Sequence, residues 1–260
     1  MRYVFLRYPE GKAKAVTFSY DDGVKEDKRL AEIFDKYGMK ATFNFNCDSL
    51  RPSLYTNEEI NEIFLSKGHE IAVHGANHRA NCTTRAIEGI YEVLNCRLEL
   101  EEKCGRIIRG MAYPDVGITR TTTFTSYESI KNYLQELDIA YSRTLGGDND
   151  SFELPTDFYA WMPSAHHNNP NIFEYIDKFL NIDTSTNTYL AIRSPKLFYI
   201  WGHSYEFANN NNWERIEEIC KNLAVKKKSG MQQTSKSANT LKHIRVFATV
   251  LTAEEYITQL

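Results

Sequence analysis

Short β-rich runs alternate along this chain with longer segments of helical period. That order builds βα units around a largely parallel sheet, which restricts the fold to the α/β class. The β-rich runs predict strands at 15–19, 42–46, 70–73, 107–112, 140–143 and 197–201. The helical periods predict helices at 25–37, 57–67, 84–104, 127–137, 172–180 and 213–223. Local chemistry supports the helices: Gly38 and Gly68 follow the first two as C′ residues, and Thr56 with Glu59 forms a capping box. With 260 residues, 42% of them apolar, the chain can bury one sizeable core, and one main domain is expected. No internal repeat of domain-building length is present, and the run from Asn209 to Asn212 reads as a loop with a cap before Trp213.

Several function classes are disfavoured by composition. The 31 basic and 34 acidic residues are interspersed, so there is no basic face for a phosphate backbone and no nucleic-acid partner is expected. The longest apolar runs, such as 15–18 and 197–201, fall far short of the ~20 residues that span a bilayer. No membrane partner is expected. The first eight residues lack the apolar centre of a secretory signal, so as written the chain is expected in the cytoplasm, and extracellular only if the true start lies upstream. Cys47, Cys82, Cys96, Cys104 and Cys220 are odd in number with no CxxC pair, which predicts reduced thiols rather than a disulfide framework or a zinc-cysteine site.

In βα architectures the chemistry collects at the carboxyl ends of the strands, where the loops converge on one rim. Polar clusters at Asp21–Asp22, His74–His78, Arg109–Tyr113 and His203 all fall at predicted strand ends. Asp21 and Asp22 precede Gly23 at a turn, where two adjacent carboxylates can be splayed, one towards a metal and one kept free as a base; alone, Asp-Asp-Gly is equally a turn that caps the next helix. His74 and His78 are spaced i, i+4, which puts both imidazoles on one face of a helical turn. Joined to a carboxylate from another strand end, they form a set suited to zinc, and also to iron, cobalt or nickel. Arg109 can hold a carboxylate ionised or form a surface ion pair, and His203 can act as an acid near neutrality or be structural.

Together these segments resemble the polysaccharide deacetylase family, carbohydrate esterase family 4, whose shared catalytic region is the NodB homology domain. Its first motif, Thr-Phe-Asp-Asp-Gly, is similar to Thr17-Phe18-Ser19-Tyr20-Asp21-Asp22-Gly23, with two residues placed before the acidic pair. Its second, His-Ser/Thr-x-x-His, is similar to His74-Gly75-Ala76-Asn77-His78. Its third, Arg-x-x-Tyr-Pro-like, matches Arg109 to Pro114 with one additional residue, and its fifth matches Trp201-Gly202-His203. The fourth, Asp-x-x-Asp-Trp-like, has no clean counterpart; Trp161 or the His166-His167 pair lies at about the right place.

The resemblance spans roughly 15–207 and implies a distorted (β/α) barrel of about seven strands. It implies Asp21 as catalytic base, His203 as acid and Arg109 as the residue orienting the base. Asp22, His74 and His78 become ligands of a divalent metal, most simply Zn2+. The Tyr113 backbone N–H completes an oxyanion site, and Trp161 a substrate wall. The implied reaction is hydrolysis of an N-acetyl or O-acetyl group on a carbohydrate. Tyr20, Tyr113, Trp161 and Trp201 are candidates to stack on sugar faces. A C–N hydrolase of non-peptide amides and an inactive carbohydrate-binding relative are the alternatives, separable by substrate preference and by metal content.

The catalytic domain is placed at 1–225, because from about Lys226 Ser, Thr, Gln and Lys dominate and a closing strand is missing. Permitted codons for Lys228 to Arg245 can spell, in a shifted frame, IWYATNIEICKYIKAY: an apolar strand, an Asn-Ile turn and an amphipathic helix. Codons for the last residues permit VYNPT. A disordered tail or a variant end are the ordinary explanations of the atypical tail 226–260; because the hidden sequence looks like the usual ending of close relatives, the hypothesis carried here is a frameshift near Ala224 to Lys228. Resequencing the locus decides this, since an unshifted read in independent DNA sinks it.

Overall fold

A computed structural model describes residues 6–47, 55–120, 124–147, 150, 152–184 and 193–224. The proposed frameshift window and tail lie almost wholly outside them. Seven parallel strands form one sheet in the order β5-β4-β3-β2-β1-β7-β6. They are β1 Lys14–Asp22, β2 Ala41–Phe45, β3 Glu70–Val73, β4 Gly110–Ala112, β5 Tyr141–Arg143, β6 Ala165–His166 and β7 Lys196–Gly202. The sheet curls towards closure through one segment: Trp161 bridges Arg143 of β5, and four residues on β6 pairs with β7. The distorted (β/α) barrel expected from the sequence is the observed fold.

Helices cover the outside: α1 Glu26–Tyr37, α3 Ala86–Cys104, α4 Tyr127–Glu136, α5 Ile172–Leu180, α6 Ser204–Asn209 and α7 Trp213–Leu223. The helical stretch after β2 begins as α2, Asn57–Glu59, under the expected Thr56–Glu59 capping box. Gly38 and Gly68 end their helices in the left-handed conformation at φ 68° and 80°, as their positions demanded. Two elements were not foreseen, β6 and α6. A two-residue strand shows no period, and α6 is a turn and a half packed directly behind His203.

Strand alternation sorts side chains between two environments. From β1, Val16, Phe18 and Tyr20 face the helices and join the main core with Phe34 of α1, Phe43 of β2 and Phe198 and Ile200 of β7. The Phe18 and Phe34 rings lie 4.7 Å apart, and burying each such side chain contributes about 1.5–3 kcal/mol. The alternate residues point into the barrel. At its floor Ala15, Tyr141, Trp161, Leu197 and Tyr199 form a small apolar cluster, while Ser19, Asp21, Asn44, His74 and Arg143 are buried polar residues towards the carboxyl ends. That polar half is why β1 carries an acidic end on an otherwise apolar strand.

Lys14 marks the opposite, amino-terminal end of the barrel. Its Nζ donates to the Leu180 carbonyl at 2.8 Å and lies over the Phe179 ring. Burial pulls its pKa down to about 8, against a smaller upward pull from Asp183. A lowered pKa means that the unfolded chain holds the extra proton between about pH 8 and the ordinary lysine value near 10.4, so stability rises with pH across that window. Denaturant unfolding from pH 7 to 10.5 is expected to show this rise in the wild type and not in Lys14→Met. Parallel profiles for the two would exclude a strained ammonium here.

Candidate active site and metal centre

Asp22, His74 and His78 converge at the carboxyl ends of β1 and β3. Their ligand atoms lie within 4.8 Å of one another, with Asp22 Oδ1 3.5 Å from His74 Nε2 and 3.4 Å from His78 Nε2. A tetrahedral ion bonded at about 2.0–2.2 Å needs donors roughly 3.3–3.5 Å apart, so the set has the spacing a metal requires. The protonation pattern fits as well. His74 Nδ1 sits 2.9 Å from the Ala112 carbonyl, which only accepts, so Nδ1 carries the hydrogen and the Nε2 lone pair faces Asp22 and His78. Burial, the largest influence, pulls the His74 pKa below its ordinary value despite Asp21 and Asp22, which favours the neutral ring a ligand must be.

Local backbone geometry brings these donors together. Asp22 would point away from Asp21 in a continuing strand, but its φ of 81° turns its side chain onto the same rim, where Asn46 Nδ2 donates to Oδ1 at 3.1 Å. The 74–78 segment is a loop rather than the helical turn its i, i+4 spacing suggested, because Gly75 and His78 take φ of 82° and 53°. Buried Glu92 on α3 shapes the loop: its carboxylate accepts the Asn77 backbone N–H at 2.7 Å and the Asn77 side chain at 2.8 Å.

Asp21 is 1% exposed and points into the barrel, where Arg143 Nη2 donates to both of its oxygens, 2.6 Å to Oδ1, and Asn44 Nδ2 donates to Oδ1 at 2.9 Å. Burial would push the carboxyl pKa up, but Arg143, then His74 and His203, hold it below the usual carboxylate range. Asp21 is therefore ionised at neutral pH. The sequence assigned the orienting role to Arg109, and the structure corrects this. Arg109 precedes β4 on the outer surface, 38% exposed, and donates to Asp138 at 2.8 Å. Arg143, wholly buried at the end of β5, takes the place beside Asp21, with Nε on Ser19 and its guanidinium 4.6 Å from the Trp201 ring centre. The available signal was an arginine ending a short β-rich run.

His203 follows β7 with Nε2 4.0 Å from Asp21 Oδ2 and 4.0 Å from Asp22 Oδ2. Its Nδ1 lies 3.2 Å from Glu206 Oε1. Burial lowers its pKa, but Glu206, Asp21 and Asp22 outweigh that and leave it raised, which favours the imidazolium. His166, the last residue of β6, and His167 after it lie on the other side of Glu206, His167 Nε2 at 2.9 Å and His166 Nε2 at 3.4 Å from Oε2. The space for His167 exists because residue 202 is glycine: a Cβ there would stand 1.9 Å from His167 Nδ1. Gly202→Ala is expected to cost at least ~1–3 kcal/mol of stability by overpacking, measured by denaturant unfolding; a neutral result would mean that β6 yields easily.

Two further assignments change. The Tyr113 backbone N–H donates to the Arg143 carbonyl at 2.9 Å, so strand pairing uses it and it is not held open for an oxyanion. Trp161 is 2% exposed and packs against Tyr141, Phe158 and Tyr199 in the barrel floor, so it is core rather than a substrate wall. Tyr20, Tyr113 and Trp201 are buried too. The partly exposed aromatic ring beside His203 is Tyr205, 5.1 Å away. All five cysteines are free.

The family model for polysaccharide deacetylases matches residues 8–135, a stretch that holds Asp21, Asp22, His74 and His78. Over those residues the chain is similar to the polysaccharide deacetylases. Two solved structures agree on the fold. A putative polysaccharide deacetylase from Mycobacterium smegmatis is 15% identical with a TM-score of 0.53, covering 93% of this chain and 94% of that one. The catalytic domain of a peptidoglycan N-acetylglucosamine deacetylase from Eubacterium rectale is 16% identical with a TM-score of 0.51, covering 90% and 96%. A Streptococcus pyogenes deacetylase, PplD, in complex with acetate is 18% identical with a TM-score of 0.42. This chain spans 55% of its length, and the match covers 50% of this chain. No curated protein matches.

Among the described residues, no helix is long and apolar enough to cross a membrane.

Proposed function

We propose that this protein hydrolyses an acetyl group from an N-acetylated or O-acetylated carbohydrate, supported by a divalent metal, most simply zinc, on Asp22, His74 and His78. The observation that carries this reading is the convergence of that ligand set with an arginine-held carboxylate and a histidine 4.0 Å from that carboxylate, all on one rim. When bound, the metal supplies Lewis acidity, polarising an acetyl carbonyl and lowering the pKa of water.

The protein's own groups do the rest. Asp21, ionised and locked by Arg143 and Asn44, takes the proton of the attacking water. Its fixed oxygens mean that no side chain must reorganise when charge moves, which is the source of electrostatic preorganisation. His203, held through Nδ1 with Nε2 towards the reacting centre, gives a proton to the leaving nitrogen or oxygen. Neutral His74, Nδ1–H tied to Ala112, keeps its lone pair for the ligand site. Tyr205 offers a partly exposed ring beside His203 on which a sugar face can stack.

The test is acetate release from N-acetylated chitooligosaccharides, acetylated xylooligosaccharides and a set of small non-peptide amides. Release from either carbohydrate class above the amides supports the reading. Turnover confined to the amides would make the protein a C–N hydrolase of another kind, and metal-free sugar binding without turnover would make it a binding relative.

A further inference from the structure

Beyond the ligand set above, His166, His167 and Glu206 form a second group whose ligand atoms lie within 4.8 Å of one another. Its hydrogen bonding argues against a metal. His166 Nδ1 accepts the Asn168 backbone N–H at 3.1 Å, so the neutral ring carries its hydrogen on Nε2, the atom facing Glu206, and has no lone pair to offer there. Burial pulls the His166 pKa down to about 4, which keeps the ring neutral. His74 shows the opposite pattern, its Nδ1 hydrogen engaged and Nε2 free.

The same contacts describe a carboxylate surrounded by donors. Glu206 Oε1 faces His203 Nδ1 at 3.2 Å, while Oε2 takes the Asn168 side chain at 2.9 Å and lies in ion-pair contact with His167 Nε2 at 2.9 Å. His167 is itself fixed: its ring is stacked between Tyr20 and Phe207, its backbone N–H donates to Trp201, and its carbonyl accepts from Arg215 Nε at 2.9 Å. A carboxylate tied at both oxygens cannot swing, and the imidazole it holds cannot rotate.

We propose that Glu206, anchored by His167 and Asn168, is a positioning residue that fixes His203 by Nδ1 so that Nε2–H addresses the leaving group, and that this cluster holds no second metal. The proposal rests on the reading of His203 as proton donor. It supplies a carboxylate for that histidine where the sequence shows no clean fourth motif.

The experiment compares Glu206→Gln, His167→Gln and His203→Gln with wild type on an N-acetylated chitooligosaccharide and on 4-nitrophenyl acetate, whose leaving phenolate needs no proton. Zinc per chain is measured in each zinc-loaded protein, and fold is checked by thermal unfolding. For Glu206→Gln, kcat on the amide is expected to fall about 30- to 100-fold with KM within about twofold, and nitrophenyl acetate turnover to stay within about threefold. His167→Gln is expected to show the same selectivity in weaker form, which keeps the test usable if Glu206→Gln folds poorly. Wild type and Glu206→Gln are both expected to hold one zinc. Equal losses on both substrates in Glu206→Gln and His167→Gln, while His203→Gln discriminates, would overturn the proposal alone. Failure of His203→Gln to discriminate would overturn the proton-donor reading with it. Two zinc ions in wild type falling to one in Glu206→Gln would establish a metal site instead.

Discussion

Asp21→Asn is expected to reduce acetate release by roughly 10³-fold while leaving bound metal in place, since positioned acid–base groups typically contribute 10²–10⁴. The amide keeps the shape of the carboxylate and its contact with Asn44, but it cannot take a proton from water. A second consequence follows from Arg143. With Asp21 neutralised, a wholly buried guanidinium loses its counter-charge, so the variant should also unfold more easily. Activity and stability can be separated with Asp21→Asn/Arg143→Met, because replacing both members of a buried pair by groups that pack well is often neutral for stability. The double variant is expected to regain most of the lost stability and none of the activity. Recovery of acetate release in it would show that Asp21 serves structure alone.

The other large effect separates two arginines. Arg143→Ala is expected to destabilise the protein by about 3–5 kcal/mol, because it strands the Asp21 carboxylate in the barrel interior. In a domain of this size that corresponds to a fall in Tm of roughly 10 °C, at about 2–4 °C per kcal/mol. Arg109→Ala breaks only an exposed contact with Asp138 and is expected to cost about 0–1 kcal/mol, with acetate release unchanged. Calorimetry with acetate release on both variants checks this. The reverse ranking would restore Arg109 to the role that its sequence segment suggested.

Much of this fold could be read from one sequence because two periods dominate it. The helices at 57–67, 127–137, 172–180 and 213–223 carry strong helical spacing, and the strands around 15–19, 70–73 and 197–201 are nearly unbroken apolar runs, as buried parallel strands are. β6 escaped because two residues carry no period, and α6 because it is a short turn behind a catalytic-type histidine. In the candidate site, Asp21, Asp22, His74 and His203 were legible since each stands at the end of a recognisable strand, and His78 by its spacing from His74. Arg109 misled because sequence spacing says nothing of which side of a strand end a side chain leaves. Strand pairing at β4–β5 decided that Arg143, not Arg109, faces inward, and the same pairing consumed the Tyr113 N–H. Trp161 misled because its ring reaches the barrel floor, not the rim. Glu206 and Glu92 could not be found from spacing, because their partners are brought to them only by the fold.

The central claim is that Asp22, His74 and His78 bind a metal on which deacetylation depends, and zinc titration into metal-stripped protein, followed by acetate release from the same samples, tests it most directly. One zinc per wild-type chain is expected, with release restored as the site fills, binding lost in His74→Ala and retained in Asp21→Asn. Full acetate release from stripped wild type, or zinc bound as tightly by His74→Ala as by wild type, would contradict it.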